Sequence, residues 1–215
     1  MTKNLTTKIP IVNTMVFTIT LVITLYSSWA SAYEGCSSSQ STWAKTVSRG
    51  ERRKTTIECY YHDTISGESP TAVLIAQANG TSSDSAPLAF GKLFMFDDPL
   101  TVGPEPTSKL VGRSQGMYGS DSQGEVGLIM AMGFAFSEGI YKGSSISIMV
   151  HNPITVKPRE LPIVGGTGLF RLAQGYAVPN TYMLDLSTGD AIVGYNITIF
   201  HYAKDYDPFN AVYSS

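Results

Sequence analysis

The sequence predicts an all-β fold, an eight-stranded antiparallel β-barrel, and three observations lead there. From Thr55 onward, short runs rich in β-branched and aromatic residues alternate with clusters of Gly, Ser, Asp and Pro, the rhythm of strands and tight turns. No window carries an apolar stripe of helical period. The runs number eight within a single domain, and closing them into a barrel removes the exposed edges that a flat sheet would leave.

The strands are expected over residues 55–62, 71–77, 90–96, 109–118, 125–137, 144–151, 175–185 and 191–202. Turn residues join them at Gly119–Gly124, Glu138–Gly143 and Ser187–Asp190. The longest loop, Asp97 to Ser108, carries Pro99, Pro104 and Pro106, and proline has no place in a central ladder. Gly165-Gly166-Thr167-Gly168 reads as a tight turn using the positive φ open to glycine, with one short helical turn near 169–173 after it. The strand at 125–137 is apolar on both faces, through Leu128, Ile129, Met130, Ala131 and Met132. One face then lines the barrel, and the other calls for a cover such as a homo-oligomer contact.

The flanks differ in character. Residues 1–32 have a weakly basic start, an apolar run and then Ala30-Ser31-Ala32, the pattern of a cleaved secretory signal. Threonines interrupt the apolar run, so it reads as a leader rather than a membrane anchor, and the mature protein is expected to be soluble and exported. Residues 33–54 form a polar arm without periodicity, 55–203 the barrel domain, and 204–215 a tail. Cys36 and Cys59 are the two cysteines; in an exported chain they form one disulfide or remain two separate thiols. Asn79 and Asn196 head glycosylation sequons. The formal net charge is −2, and Arg52-Arg53-Lys54 is too short a run for a nucleic-acid surface.

Missing motifs narrow the chemistry. His62, His151 and His201 show no metal-ligand spacing with one another or with the cysteines. No G-x-S-x-G nucleophile elbow is present, and the glycine-rich run lacks the lysine of a phosphate loop. The residues alone point to neither a cofactor nor a covalent nucleophile.

Several blocks, in order, resemble the plant dirigent family. They are Tyr60-Tyr61-His62-Asp63, Phe96-Asp97-Asp98-Pro99-Leu100-Thr101, Ser108 through Tyr118, Gly143-Ser144-Ser145, Arg159 through Arg171, Gly175-Tyr176-Ala177 and Gly189-Asp190-Ala191. The resemblance implies a barrel related to the allene oxide cyclases, assembled into homo-oligomers, trimers or dimers. It implies secretion to the apoplast, where a separate laccase or peroxidase makes phenoxy radicals from phenols such as coniferyl alcohol. The dirigent protein then biases the stereochemistry of coupling. About 1.4 kcal/mol between mirror-image transition states gives a tenfold preference, so a few fixed contacts suffice.

By the same resemblance Asp63 matches the pocket aspartate that binds or protonates the phenolic oxygen of a quinone methide, against the simpler role of capping a turn at the end of its strand. Tyr118 matches a pocket tyrosine. Arg113 and Arg171 are candidate substrate contacts, although Arg113 is better read as pairing with Asp97 or Asp98 at the rim, and Arg171 fits a rim position equally. Two departures stand out: Leu169 where many lignan-forming members have Asp, and Gln174 where most have Arg. They weaken the expectation of the lignan reaction and point to another branch of the family, among which are atropisomer-selective coupling, pterocarpan formation from isoflavonoids and ordered lignin deposition in the wall. Stereoselective radical coupling stays the first expectation, with a cyclase or dehydratase acting on a quinone methide or isoflavanol, or a non-catalytic organiser of lignin, as the alternatives.

Overall fold

The computed structural model describes residues 19–22, 24, 50–80 and 86–202. The chain divides into two compact units, Met1–Ser48 and Arg49–Ser215. In the first, residues 19–22 and Thr24 are helical. No helix among the described residues is long and apolar enough to cross a membrane. The remainder of the expected leader, most of the arm and the tail lie outside the described residues.

The second unit is built from β1 (Arg52–Asp63), β2 (Ala72–Gln77), β3 (Lys92–Thr101), β4 (Leu110–Ser120), β5 (Gly127–Phe136), β6 (Ser145–Pro153), β7 (Leu161–Thr167), β8 (Gln174–Leu184) and β9 (Ala191–Tyr202). All pairings are antiparallel, in the order β1-β9-β8-β7-β6-β5-β4-β3. Tyr60 and Tyr61 of β1 pair with Thr101 and Leu100 of β3, which closes an eight-stranded barrel. β2 adds to the earlier part of β3. Single 3-10 turns follow β5, at Gly139–Tyr141, and β7, at Gly168–Phe170.

The fold class matches the expectation, but the strands that make up the ring differ. β7 is absent from the expected strands, and its second half falls in the turn expected at Gly165-Gly166-Thr167-Gly168. Gly165 and Gly166 in fact belong to the strand, and only Gly168 of the run takes positive φ (61°). A Cβ at Gly166 would come within 2.6 Å of the Ser145 and Phe170 carbonyl oxygens, so close packing, not turn geometry, requires that glycine. β3 runs on through Asp97, Asp98 and Pro99, which were assigned to a loop. Proline fits there because β2 pairing ends at Phe96 and β1 pairing begins at Leu100, so Pro99 faces β4 alone. β1 also starts earlier than expected, at Arg52, because β9 is long enough to pair with it at Tyr202. Arg52 lies over the Phe200 ring, 4.8 Å from its centroid.

Alternation places Cys59, Tyr61 and Asp63, then Phe94, Phe96 and Asp98, then Ser114 and Tyr118, on the buried side of their strands. Aromatic rings fill the interior: Tyr118 stacks on Phe94 and Phe96, and Tyr195 meets Tyr61 and Phe134 edge-on. Burying side chains of this size contributes roughly 1.5–3 kcal/mol each. Cys59 is a free, buried thiol whose pKa burial pushes up to about 12, so the weighed disulfide is not formed at Cys59; Cys36 lies outside the described residues.

Candidate functional site

Asp63 is the last residue of β1 and points into the barrel, 9% exposed. Strand ends are common places for turn-capping aspartates, but here Asp190 caps the turn. Its Oδ1 accepts the Ile65 and Ser66 amides at 2.8 and 3.0 Å, and its Oδ2 accepts the Ser66 hydroxyl. Asp63 is left to face the core.

Burial raises the Asp63 pKa to about 8, and the nearby Asp98 carboxyl adds to the rise. The hydroxyls of Tyr118 and Tyr61 pull it back without overcoming burial. Asp98 is fully buried and rises to about 6, again chiefly through desolvation. Two carboxyls in one dry interior do not readily ionise together. At neutral pH Asp63 is therefore an acid holding its proton, with Asp98 beside it as the more readily ionised partner.

Tyr61 and Tyr118 have their own ionisation pushed far upward, first by burial and then by these carboxyls. Asp63 Oδ1, both Asp98 oxygens and the hydroxyls of Tyr61 and Tyr118 reach no partner in hydrogen-bonding geometry. They lie close enough to one another to shift each other's ionisation. A set of buried groups with unused donors and acceptors is suited to receive an oxygenated ligand.

A cavity of about 40 Å³ opens beside Asp63, lined among others by Tyr61, Arg159, Asn152, Thr181 and Tyr195. Its remaining walls, such as Leu128, Ile154 and Val193, are apolar. No group of three or more His, Cys, Asp and Glu residues among those described is placed to hold a metal ion.

Of the residues expected at the site, the structure brings together Asp63 and Tyr118. Arg113 lies on the outer face and donates to the Asp97 carboxylate and main-chain carbonyl, so it fixes the β3–β4 pair and does not reach the interior. Arg171 is exposed, just after the 3-10 turn at Gly168–Phe170. That turn packs on His201, which pairs with Arg53 at the start of β1, the end of the barrel opposite Asp63. Leu169 and Gln174 sit at the same distant end. Asn79 and Asn196 are both exposed. Asp98 and Arg159 were missed as site residues. The only sequence signal for Asp98 was its two-residue spacing from Phe96 and Phe94, which the proline obscured.

The site is a closed antiparallel barrel whose dry interior holds two carboxyls set among tyrosines. The chain belongs to the dirigent family: the family model described as Dirigent-like protein matches residues 54–200. It is 53% identical over 161 residues to Dirigent protein 23 of Arabidopsis thaliana, covering 74% of this chain and 85% of that one. It is 50% identical over 153 residues to Pterocarpan synthase 1 of Glycyrrhiza echinata, covering 71% and 80%. The solved structure of a pterocarpan synthase dirigent protein superposes with a TM-score of 0.68 at 47% identity, covering 76% of this chain and 92% of that one.

Proposed function

We propose that this protein controls the closed-shell chemistry of a phenolic quinone methide, as a stereoselective dehydratase and cyclase acting on an isoflavanol-like substrate. The observation that carries this reading is the buried acid: Asp63 keeps its proton up to a pKa of about 8, in a cavity with tyrosines around it. Relatives bearing the name pterocarpan synthase support the substrate class.

The steps balance without an oxidant. A phenol with a benzylic hydroxyl gives up its phenolic proton to solvent, from which it is later regained, as the benzylic C–O bond breaks. Asp63 passes its proton to the departing oxygen, so that water leaves and a quinone methide remains. An internal hydroxyl then attacks the benzylic carbon and its proton restores Asp63. The quinone oxygen regains a proton as the ring becomes aromatic again. The barrel fixes which face is attacked, and exclusion of water prevents simple rehydration.

The second reading is stereochemical control of phenoxy-radical coupling with an external laccase or peroxidase. The same acid favours it, because coupling also yields a quinone methide that must be protonated and trapped. Incubation with a 2′-hydroxyisoflavanol, with and without added oxidase, separates the two. Chiral analysis is expected to give one pterocarpan enantiomer without oxidant. A requirement for oxidase before any product bias appears would favour radical coupling instead.

Assembly is part of the reading. Met130 and Met132 both face inward, so neither supplies the contact first sought in that strand. Its outer face instead carries Ile129 and Ala131. Val73, Met95, Met117, Ala131 and Met149 stand in register across β2 to β6, and all but Ala131 are exposed. A second copy of the chain is the proposed cover for this row. Met117→Lys is expected to shift the protein towards monomer in light scattering. A wild-type monomer at micromolar concentration would contradict the contact.

A further inference from the structure

The sequon Asn196-Ile197-Thr198 in β9 has no part in the chemistry at Asp63. The strand alternates there, with Tyr195 and Ile197 buried and Asn196 turned outward and exposed. Its register sets Asn196 between Glu58 of β1 and Val178 of β8, and Gly194 between Tyr60 and Asn180. These residues and Tyr182 line a groove of about 180 Å³ on the outer wall of the barrel.

Gly194 shapes the groove. It puts no side chain on the floor, and the Tyr60 ring lies along it: a Cβ at Gly194 would stand 3.2 Å from Tyr60 Cε1. Tyr182, 60% exposed, meets Tyr60 edge-on with ring centroids 6.4 Å apart. Glu58, Asn180 and Asn196 are exposed around the two rings. Aromatic faces beside amides and a carboxylate are the complement of a sugar. The C–H face of a pyranose meets the negative face of an aromatic ring, while its hydroxyls and N-acetyl group find donors and acceptors in the amides and the carboxylate. A wholly apolar partner would instead cover those polar groups unpaired.

The sequon supplies such a sugar at the edge of the groove, because Asn196 is itself a lining residue. We propose that Asn196 is glycosylated and that the first N-acetylglucosamine of its glycan lies in this groove against Tyr60 and Tyr182. Thr198 is buried, which is no obstacle to a glycan transferred before the strand folds. Transfer requires the export expected from residues 1–32 and is independent of the reaction at Asp63. The row proposed to meet a second copy runs across β2 to β6, away from β1, β9 and β8 in the strand order, so the glycan leaves that row free.

The full chain, expressed in plant cells with its own leader, tests this in two steps. Glycopeptide mass spectrometry of the secreted protein is expected to find Asn196 occupied, and Asn196→Gln to remove that glycan. An amidase that cleaves the bond between Asn and N-acetylglucosamine is then applied to the folded protein, with release followed at the Asn196 peptide. Tyr60→Ala and Tyr182→Ala are expected to release the glycan about tenfold faster than wild type, the worth of one good aromatic contact. Thermal unfolding checks that each variant is folded, and Tyr182→Ala, at an exposed position, carries the test if Tyr60→Ala is not. A secreted protein with Asn196 bare, or a chain kept unmodified inside the cell, would overturn the modification. Equal release from wild type and a folded Tyr182→Ala variant would overturn the seat in the groove. Asp63→Asn should change neither measurement.

Discussion

Asp63→Asn is expected to lower product formation roughly 10²- to 10⁴-fold, the range that a positioned general acid supplies. The amide keeps the shape and a hydrogen-bonding capacity but cannot hand over a proton. Whatever product still forms should approach a racemate, because without the acid the ring closes mostly in free solution, where the barrel shields neither face. The same substitution has an opposite effect on stability. The Asp63 pKa is raised on folding, so its contribution is most favourable below the unfolded value and is lost as pH rises through about 4 to 8. Asp63→Asn escapes that loss. Chemical denaturation should find the variant more stable than wild type at alkaline pH, with the gap closing as pH falls. A variant equally stable at both ends and fully stereoselective would leave Asp63 without the role assigned to it.

Gly175→Ala is expected to destabilise the barrel by about 3–5 kcal/mol, as severe core clashes do. Gly175, the second residue of β8, has φ 152°, and a Cβ there would lie 2.0 Å from the Thr198 carbonyl oxygen of β9. The obstacle is main chain in a paired strand, so no side-chain movement relieves it. Gly165→Ala is the matched control: nothing lies within 4 Å of its added Cβ, and its φ is not positive. Thermal melts should show a large loss for the first and almost none for the second. Equal melts would mean that β8 and β9 separate more easily than their ten-residue register implies.

These two residues also mark what was legible in the sequence. Asp63 reached the interior by the resemblance alone, because the expected strand stops at residue 62 and Tyr61, His62 and Asp63 are buried alike, with no alternation to read at that end of β1. Most strands of the ring were readable as runs of β-branched and aromatic residues between turn clusters. β7 was not, since its glycines resemble a turn until their close approach to the Ser145 and Phe170 carbonyls is seen. Asp98 escaped because a proline beside it argues against a strand, and only the gap between two pairings on β3 admits that proline. Arg159 heads one block of the resemblance but is not singled out as a site residue, since a loop arginine reads as solvent-exposed and its burial depends on the path of residues 154–160. The pairing of Arg113 with Asp97 follows the rim reading, while Arg171 falls at the end of the barrel away from Asp63.

The central claim is that Asp63 is an acid holding its proton at neutral pH. Carbon-13 NMR titration of the aspartate carboxyls tests this directly, with the Asp63 signal assigned by its absence from Asp63→Asn. The account predicts that this carboxyl titrates near pH 8, with Asp98 following a lower course near 6. An Asp63 signal that titrates near the ordinary carboxylate value of about 4 would show an ionised side chain with no proton to give, and would contradict the account.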